Sequence, residues 1–228
     1  MDMYHQRILL PSEKNEDRAL VQRTGGVTYA VICDGHGGAE VSKLVIKQLV
    51  PLLASGTPPS EVFYRLEEEI KSRSLTAGST CSVLIIRKDT IEIAHVGDSR
   101  IVTGHHGQIT TDHNPDTPSE YERIKALGAQ DEIQYYGVFR IGQYASTRSL
   151  GDLEGKAKYA SMTWEPELAV FPRHPSDWYF LASDGVWDVL TPVQVKELIE
   201  AGHSAEKIAQ LAREMGSEDD ISCILLKP

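Results

Sequence analysis

The sequence lacks a long apolar run and the common targeting signals. No segment has the about 18 consecutive apolar residues of a membrane-spanning helix, so we expect no membrane partner. The first residues, MDMYHQRILL, have neither the basic start nor the apolar core of a signal peptide. Position 2 is not the glycine that N-myristoylation needs. We therefore expect a cytoplasmic protein, with the nucleus as an open alternative.

Cysteine is scarce, and a basic surplus is absent. The three cysteines, Cys33, Cys81 and Cys223, lie in apolar segments and form no CxxC motif, which favours reduced thiols in an intracellular compartment. The formal net charge is -10. Nucleic-acid-binding proteins need basic surface instead, so we expect no nucleic-acid partner. An acidic chain is compatible with binding of divalent cations, but charge alone does not indicate it.

Low-complexity segments, long linkers and repeats of fixed period are also missing. We therefore interpret residues 1–228 as a single domain and expect a monomer, although the sequence leaves the oligomeric state open. Many strand-like runs are separated by short turns, which favours antiparallel pairing. The predicted fold class is α+β, with two antiparallel β-sheets packed as a central sandwich and flanked by helices. The predicted strands cover residues 4–10, 27–33, 80–86, 91–96, 99–103, 167–171, 178–182 and 221–226.

Helix signals fall between these groups of strands. Apolar residues at helical spacing define one face of a helix over 41–52. A second helix is predicted to start after Ser60, and a last one to cover 204–215. Two segments, at Thr117 and Thr191, read Thr-Pro-x-Glu or Thr-Pro-x-Gln, and this pattern predicts a capping box at each helix start.

Acidic residues recur where predicted strands begin or end. Asp34 follows the run VTYAVIC, Asp184 follows WYFLAS, and Asp219 lies just before ISCILL. Carboxylates held close together and partly desolvated repel one another, and a divalent cation removes that repulsion. Magnesium and manganese prefer such oxygen ligands. Each Asp-Gly alone is a common turn dipeptide, so the pattern indicates a metal site only if the acids converge in space.

Several short motifs occur in an order and at a spacing that resemble one enzyme family. The set extends from about residue 15 to residue 226 and resembles the metal-dependent serine/threonine protein phosphatases of the type 2C class. The resemblance implies phosphorylated proteins as substrates. The motifs are DGHGG (34–38), GST (78–80), GDSR (97–100), STRSLGD (146–152), SDGVWD (183–188) and SEDDIS (217–222).

The resemblance implies metal-binding roles for eight residues. Asp34 resembles the carboxylate that bridges two ions, and Gly35 resembles a ligand through its carbonyl. Asp98 and Asp184 resemble the pair that binds a third, weaker ion. The ions would be Mg²⁺ or Mn²⁺, which the sequence does not separate. The implied metal-binding set is Glu16, Asp17, Asp34, Gly35, Asp98, Asp184, Asp188 and Asp219.

The implied chemistry is hydrolysis without a phosphoenzyme. Two ions would make hydroxide available from a bridging water, and Asp34 would hold both ions for the in-line attack on phosphorus. His36 resembles the general acid that protonates the departing serine or threonine oxygen. An isolated histidine between glycines is more often a solvated loop residue, and its position after Asp34 is what favours the catalytic interpretation.

Two positions depart from the family pattern. Ser12 stands where the family usually has an arginine that binds the substrate phosphate, and Asp220 stands where it usually has asparagine. Arg7, Lys14 and Arg18 are candidates to replace the arginine, but none is in register. Because lysine cannot form the bidentate contact of arginine, substrate binding is expected to be weaker or differently organised.

Other functional interpretations stay open beside the phosphatase. A catalytically weak or silent relative would use the same fold as a regulatory binding module, and a structural protein would use the Asp-Gly pairs only as turns. Cys81 and Arg87 have the C-x5-R spacing of cysteine-dependent phosphatases, but CSVLII predicts a strand rather than a phosphate-binding loop. Arg140 and Arg148 could bind phosphate, although a structural pairing with a carboxylate is favoured for Arg148.

Overall fold

Apolar and β-branched runs form strands throughout residues 3–228, the part of the chain that the computed structural model describes. The eight predicted strands are all present, to within one residue at each end. The strands are β1 (Tyr4–Leu10), β2 (Arg18–Thr24), β3 (Val27–Cys33), β4 (Gly35–His36), β5 (Gly78–Ser79), β6 (Cys81–Ile86), β7 (Thr90–Val96), β8 (Arg100–Thr103), β9 (Gly107–Gln108), β10 (Ile133–Tyr135), β11 (Phe139–Ile141), β12 (Leu150–Gly151), β13 (Glu167–Pro172), β14 (Tyr179–Ala182) and β15 (Ile221–Lys227).

The predicted helices are present too, and two short ones join them. The apolar face of the first helix packs in the core, as its spacing predicts. The helices are α1 (Glu40–Ala54), α2 (Pro59–Ser72), α3 (Pro118–Ala126), α4 (Leu153–Lys158), α5 (Asp184–Trp187), α6 (Pro192–Glu200) and α7 (Ala205–Glu214). In residues 3–228, no helix has the length and hydropathy needed to cross a membrane.

Two five-stranded sheets form the centre of the molecule. The strand order is β1-β15-β14-β8-β9 in the first sheet and β13-β7-β6-β3-β2 in the second. Every pairing between these strands is antiparallel. The sheets pack face to face through a buried apolar cluster that includes Ile32 and Leu84 of the second sheet with Leu181 and Ile224 of the first.

Helices cover the outer face of each sheet. Alternation along β3 directs Ile32 to the other sheet and its neighbours Val31 and Cys33 to the helices, which is why residues 29–33 of this strand are apolar without interruption. Helices α1 and α2 pack on the second sheet, and α5, α6 and α7 pack on the first. The resulting α-β-β-α layers confirm the predicted fold class. That residues 1–228 form one domain stays a prediction.

The predicted capping box at Thr117 is wrong, although α3 starts where the sequence predicts. Thr117 makes no side-chain cap hydrogen bond. Glu120, its expected partner, is buried and binds Arg148 instead, because an arginine offers a carboxylate more donors than a backbone N–H does. The capping box at Thr191 does form, with the Gln194 N–H donating to Thr191 Oγ1 at 3.3 Å.

Three two-residue strands form a small sheet that positions His36 and the residue before Asp152. Its order is β12-β5-β4, so Gly78 of β5 lies opposite both His36 of β4 and Gly151 of β12. This sheet brings the segment after β3 close to the segment before α4. The next residue along the chain, Asp152, therefore lies near His36.

Candidate active site

A cleft of about 740 Å³ collects most of the acids that the sequence predicts to bind metal. They come from both sheets of the sandwich, and most lie where a strand begins or ends. Convergence in space is the condition that separates a metal site from a set of unrelated turns. The predicted ligands on the wall of this cleft, hereafter the acidic wall, are Glu16, Asp34, Gly35, Asp98, Asp184 and Asp219.

The carboxyl groups of the acidic wall oppose one another's ionisation. Burial, followed by the charges of Asp184 and Asp17, raises the pKa of Asp34 well above its usual range. Burial and the charge of Asp184 raise the pKa of Asp98 to about 7. Burial also raises the pKa of Asp184 to about 6, against a hydrogen bond with Asp34 that lowers it. A divalent cation at this wall would stabilise the charged forms.

The two remaining predicted ligands do not line the cleft. Asp17 is only 5% exposed, and burial raises its pKa to about 7. Its Oδ2 atom has no hydrogen-bond partner among residues 3–228. Asp188 is exposed, and burial and then the charge of Asp219 raise its pKa. Both therefore lie within electrostatic reach of the acidic wall, and their roles as ligands stay predictions.

The donor set fits a hard divalent cation. The acidic wall offers carboxylate oxygens and the Gly35 backbone, and oxygen is what Mg²⁺ and Mn²⁺ prefer. At Gly35 an added Cβ would lie 2.6 Å from the Glu16 carbonyl oxygen, so only glycine permits this close approach.

Asp220 fixes the loop that precedes β2. Its carboxylate accepts hydrogen bonds from the backbone N–H of Ser12 at 2.5 Å, of Glu16 at 2.5 Å and of Asp17 at 3.2 Å. Burial alone would raise the pKa of Asp220, but these donors lower it overall. An asparagine has a single acceptor oxygen, whereas the carboxylate has two. The departure from asparagine thus supplies the acceptors that this loop uses.

Only one of the three candidate replacements for the arginine lines the cleft. Lys14 Nζ lies 3.1 and 3.0 Å from the two carboxylate oxygens of Asp219. Arg7 instead donates to the Ala19 carbonyl oxygen at 2.8 Å. Arg18 donates to backbone carbonyl oxygens of its own loop. Lys14 therefore brings a positive charge to the acidic wall from a position two residues beyond Ser12.

His36 lies in the cleft and is bound by a residue to which the sequence assigned no role. Its Nε2 atom is 2.8 Å from Asp152 Oδ2 and 3.0 Å from Oδ1. Burial lowers the pKa of His36, but the bond to Asp152 outweighs it, and the net shift is upward. Asp152 is the last residue of the motif STRSLGD, and its place in that motif was the only available signal.

Arg148 pairs with a buried carboxylate, whereas Arg140 lies in the cleft and phosphate binding by Arg140 stays a prediction. Arg148 Nε donates to Glu120 Oε1 at 3.0 Å, which confirms a structural pairing. Burial raises the pKa of Glu120, but the arginines outweigh it and lower that pKa to about 2. Arg140 lines the cleft and donates to the Gln143 carbonyl oxygen. Cys81 lies in strand β6 and not in a phosphate-binding loop.

A second group of possible metal ligands lies outside the cleft and was missed from sequence. His95, His113 and Glu167 place one ligand atom each within 4.8 Å of one another. The Gly97 N–H donates to His113 Nδ1 at 3.1 Å, so the His113 proton resides on Nε2, the atom nearer to Glu167. A cation there would have to displace that proton. Burial lowers the pKa of His95 to about 4, and we interpret this group as a neutral hydrogen-bonded cluster.

The protein thus has α-β-β-α layers and a cleft that holds the acidic wall and His36. Comparison with known proteins gives its family. The sequence model described as "Protein phosphatase 2C" matches residues 3–221. The chain belongs to the protein phosphatase 2C family of serine/threonine phosphatases. Metal dependence is a general property of that family.

Plant relatives are similar over most of this chain. Probable protein phosphatase 2C 59 of Oryza sativa subsp. japonica is 32% identical over 217 residues, which cover 86% of this chain and 65% of that protein. Probable protein phosphatase 2C 69 of Arabidopsis thaliana is 31% identical over 217 residues, covering 86% of this chain and 60% of the relative. The chain thus spans less than two thirds of either relative.

Solved structures share the fold. A sex-determining protein of C. elegans superposes with a TM-score of 0.85 at 25% identity, over 100% of this chain and 65% of that one. A phosphatase from a pathogenic strain of Toxoplasma gondii gives a TM-score of 0.83 at 20% identity, over 99% of this chain and 92% of that one. The second likeness is one of fold alone.

Proposed function

We propose that this chain is a metal-dependent protein serine/threonine phosphatase. The observation that carries the proposal is the acidic wall, where oxygen ligands from both sheets face one cleft together with His36. Phosphoserine and phosphothreonine proteins are its proposed substrates. Two Mg²⁺ or Mn²⁺ ions, and a third that binds more weakly, are its proposed cofactors. A monomer in the cytoplasm or nucleus belongs to the same proposal.

Different residues of the chain have different roles in the proposed reaction. When bound, the ions would lower the pKa of a water in the cleft and neutralise charge on the phosphoryl oxygens. His36 donates a proton to the serine or threonine oxygen that departs. The clamp of Asp220 keeps Glu16 at the acidic wall. The residues that would hold the ions are Glu16, Asp17, Asp34, Gly35, Asp98, Asp184, Asp188 and Asp219.

Lys14 is the proposed contact for the substrate phosphate. It lines the cleft beside Asp219, and the charges of Asp219 and Glu16 act on it. Asp219 is also a proposed metal ligand, and with its charge balanced by a cation the Lys14 ammonium would be available to bind a phosphoryl oxygen as a point charge. This contact replaces the arginine that is missing at Ser12.

A catalytically weak or silent relative is the second candidate function. Serine at position 12 favours it, because the usual phosphate fork is absent. The raised pKa values of Asp34, Asp98 and Asp184 oppose it, because burial and then the neighbouring carboxylates make the charged forms of these groups unfavourable. A binding module that holds no metal would gain nothing from carboxyl groups whose ionisation is unfavourable.

Hydrolysis of a phosphothreonine peptide tests the proposal. Activity is measured with Mn²⁺, with Mg²⁺ and with EDTA, for wild type, Asp34→Asn and Asp184→Asn. Asp116→Asn is the matched control, because Asp116 is exposed and outside the cleft. We expect metal-dependent turnover that both cleft variants abolish and the control retains. A folded wild type without turnover, but with calorimetric Mn²⁺ binding, would instead establish the silent relative.

A further inference from the structure

We propose that Asp152 is a positioning residue of the reaction: it binds the Nε2–H of His36, so that Nδ1 is the nitrogen that gives its proton to the leaving oxygen. In that step the Nδ1–H bond breaks, an O–H bond forms on the departing serine or threonine, and His36 remains as the neutral Nε2–H tautomer. This inference rests on the proposed phosphatase function and deepens it.

The hydrogen bonds of the pair assign the two ring nitrogens. His36 Nε2 lies 2.8 and 3.0 Å from the two Asp152 oxygens, and a carboxylate can only accept. Nδ1 has no hydrogen-bond partner in residues 3–228. The His36 side chain is 44% exposed and lines the cleft, whereas the Asp152 side chain is 5% exposed. One nitrogen is thus held by the protein, and the other is left for substrate.

Asp152 is itself held in place from several sides. Ser149 Oγ donates to its Oδ2 at 2.6 Å. Its backbone N–H donates to the Ala77 carbonyl oxygen at 3.2 Å, and its carbonyl accepts from the Lys156 N–H at 3.0 Å. Because the contacts of backbone and side chain are fixed together, the carboxylate has little freedom to turn away from His36.

The backbone of Asp152 is strained to present this carboxylate. Its φ is 49° and its ψ 40°, the left-handed region that a non-glycine residue adopts at a cost in free energy. Such conformations persist only where surrounding contacts determine them, and they cluster at functional sites. The residue is also the N-cap of α4 but makes no side-chain cap hydrogen bond, so its carboxylate does not serve the helix.

Gly78 has no side chain, and this leaves room for the hydrogen bond between His36 and Asp152. A Cβ at this position would lie 2.2 Å from His36 Nε2 and 2.3 Å from Asp152 Oδ1. Those distances are too short for any side chain, including that of alanine. The φ of Gly78 is not left-handed, so the backbone alone does not require glycine here. The hydrogen-bonded pair does require it.

The tautomer of His36 tests the pairing without any metal. Histidine-labelled ¹⁵N spectra of the metal-free protein at pH 8 report which ring nitrogen carries the proton, and the His36 signals are those lost in His36→Gln. We expect the Nε2–H tautomer in wild type and a shift toward Nδ1–H in Asp152→Asn. Wild type in the Nδ1–H form, or an unchanged tautomer in the variant, would overturn the assignment.

Leaving-group dependence tests the catalytic role. With Mg²⁺ bound, Asp152→Asn should lower kcat for a phosphothreonine peptide about 100-fold and kcat for p-nitrophenyl phosphate less than about threefold, because the acidic phenol needs no protonation. KM should stay unchanged. In the His36→Gln background, Asp152→Asn should cause no further loss. An equal loss on both substrates, or a further loss in that background, would show a purely structural residue.

Two controls separate the remaining readings. Asp177→Asn removes a carboxylate that is also 5% exposed and accepts a backbone N–H, but lies outside the cleft, and it should change none of these quantities. Calorimetric Mn²⁺ affinity of Asp152→Asn should equal that of wild type, since weaker binding would make Asp152 a metal ligand instead. A wild type that hydrolyses neither substrate would overturn the proposed function and the catalytic role with it, while the tautomer spectra still decide the pairing.

Discussion

Lys14 reaches the acidic wall because Asp220 clamps the loop that carries it. The expected consequence is that Lys14→Met raises KM for a phosphothreonine peptide about tenfold, through the loss of one charge-assisted contact. Lys14→Arg should restore most of the affinity. The matched control is Arg18→Met, since within residues 3–228 the Arg18 side chain donates its hydrogen bonds to Asn15 and Asp17 and lies outside the cleft. The measurements are KM and competitive inhibition by inorganic phosphate, and equal values in wild type and Lys14→Met would contradict the assignment.

The Asp220 clamp makes a second prediction at the scale of one residue. In Asp220→Asn one acceptor oxygen remains for the N–H groups of Ser12, Glu16 and Asp17, and the new amide NH₂ faces a donor. We expect the free energy of unfolding to fall by about 1–3 kcal/mol, as for a buried donor left unpaired. Urea denaturation in EDTA measures it. An unchanged midpoint would mean that water replaces the lost acceptor.

At the scale of elements, a buried ion pair ties α2 to α4 next to the candidate site. Lys156 Nζ donates to Glu67 Oε1 at 2.8 Å, and Glu67 Oε2 accepts from the Gly151 N–H at 2.9 Å. Glu67 is fully buried, and burial lowers the pKa of Lys156 despite this partner. The pair therefore fixes the chain on both sides of Asp152.

Removing the lysine alone should destabilise the protein more than removing both charges. Lys156→Met leaves the Glu67 carboxylate buried without a counter-charge, and we expect a loss of about 3–5 kcal/mol in the free energy of unfolding. The double variant with Glu67→Gln should recover part of that loss. Chemical denaturation of the two variants decides it, and a double variant less stable than Lys156→Met would refute the argument.

Long elements follow from the sequence, and the short ones do not. Strands such as β3 and β15 are seven residues long and mostly apolar, which is enough to predict them. β2 was missed because charged and polar side chains interrupt its sequence, RALVQRT. The two-residue strands β4, β5 and β12 carry no pattern at all, and they are the ones that bring His36 to Asp152. Tertiary pairing creates them, so no local signal could.

The candidate site could likewise be predicted only in part. The acids of the wall were predicted from motif order, whereas their convergence follows from how strand ends of two sheets meet. His36 and Asp152 are 116 residues apart, and Lys14 and Asp219 are 205 apart, so neither contact leaves a trace in sequence spacing. Lys14 in particular could not be preferred over Arg7 or Arg18 until the Asp220 clamp was visible.

At the scale of the whole molecule, the net charge is -10, and several of the acidic residues line one cleft. The free energy of unfolding should therefore depend on pH and on bound metal. In the metal-free protein the pKa values of Asp17 and Asp98 are raised to about 7, against about 4 when unfolded. The folded state therefore holds protons that the unfolded state has released. Stability from this source is complete below about pH 4 and is lost as pH rises through 7.

The window from pH 6.5 to 8 is where this effect dominates. Burial lowers the pKa of His95 to about 4 and of His113 to about 2, so both are neutral in the folded protein throughout this window. In the unfolded chain they lose their remaining charge just above about pH 6.5, and this offsets only part of the loss from the acids. We expect the metal-free protein to lose on the order of 1 kcal/mol of unfolding free energy between these pH values, and Asp98→Asn to lose less. Mn²⁺ should reverse the trend, because it competes with protons for the same oxygens. Thermal unfolding at both pH values, with EDTA and with Mn²⁺, measures the loss in wild type, the smaller loss in Asp98→Asn and the effect of Mn²⁺. A wild type that becomes more stable toward pH 8 in EDTA would contradict the acidic wall as the dominant charge cluster.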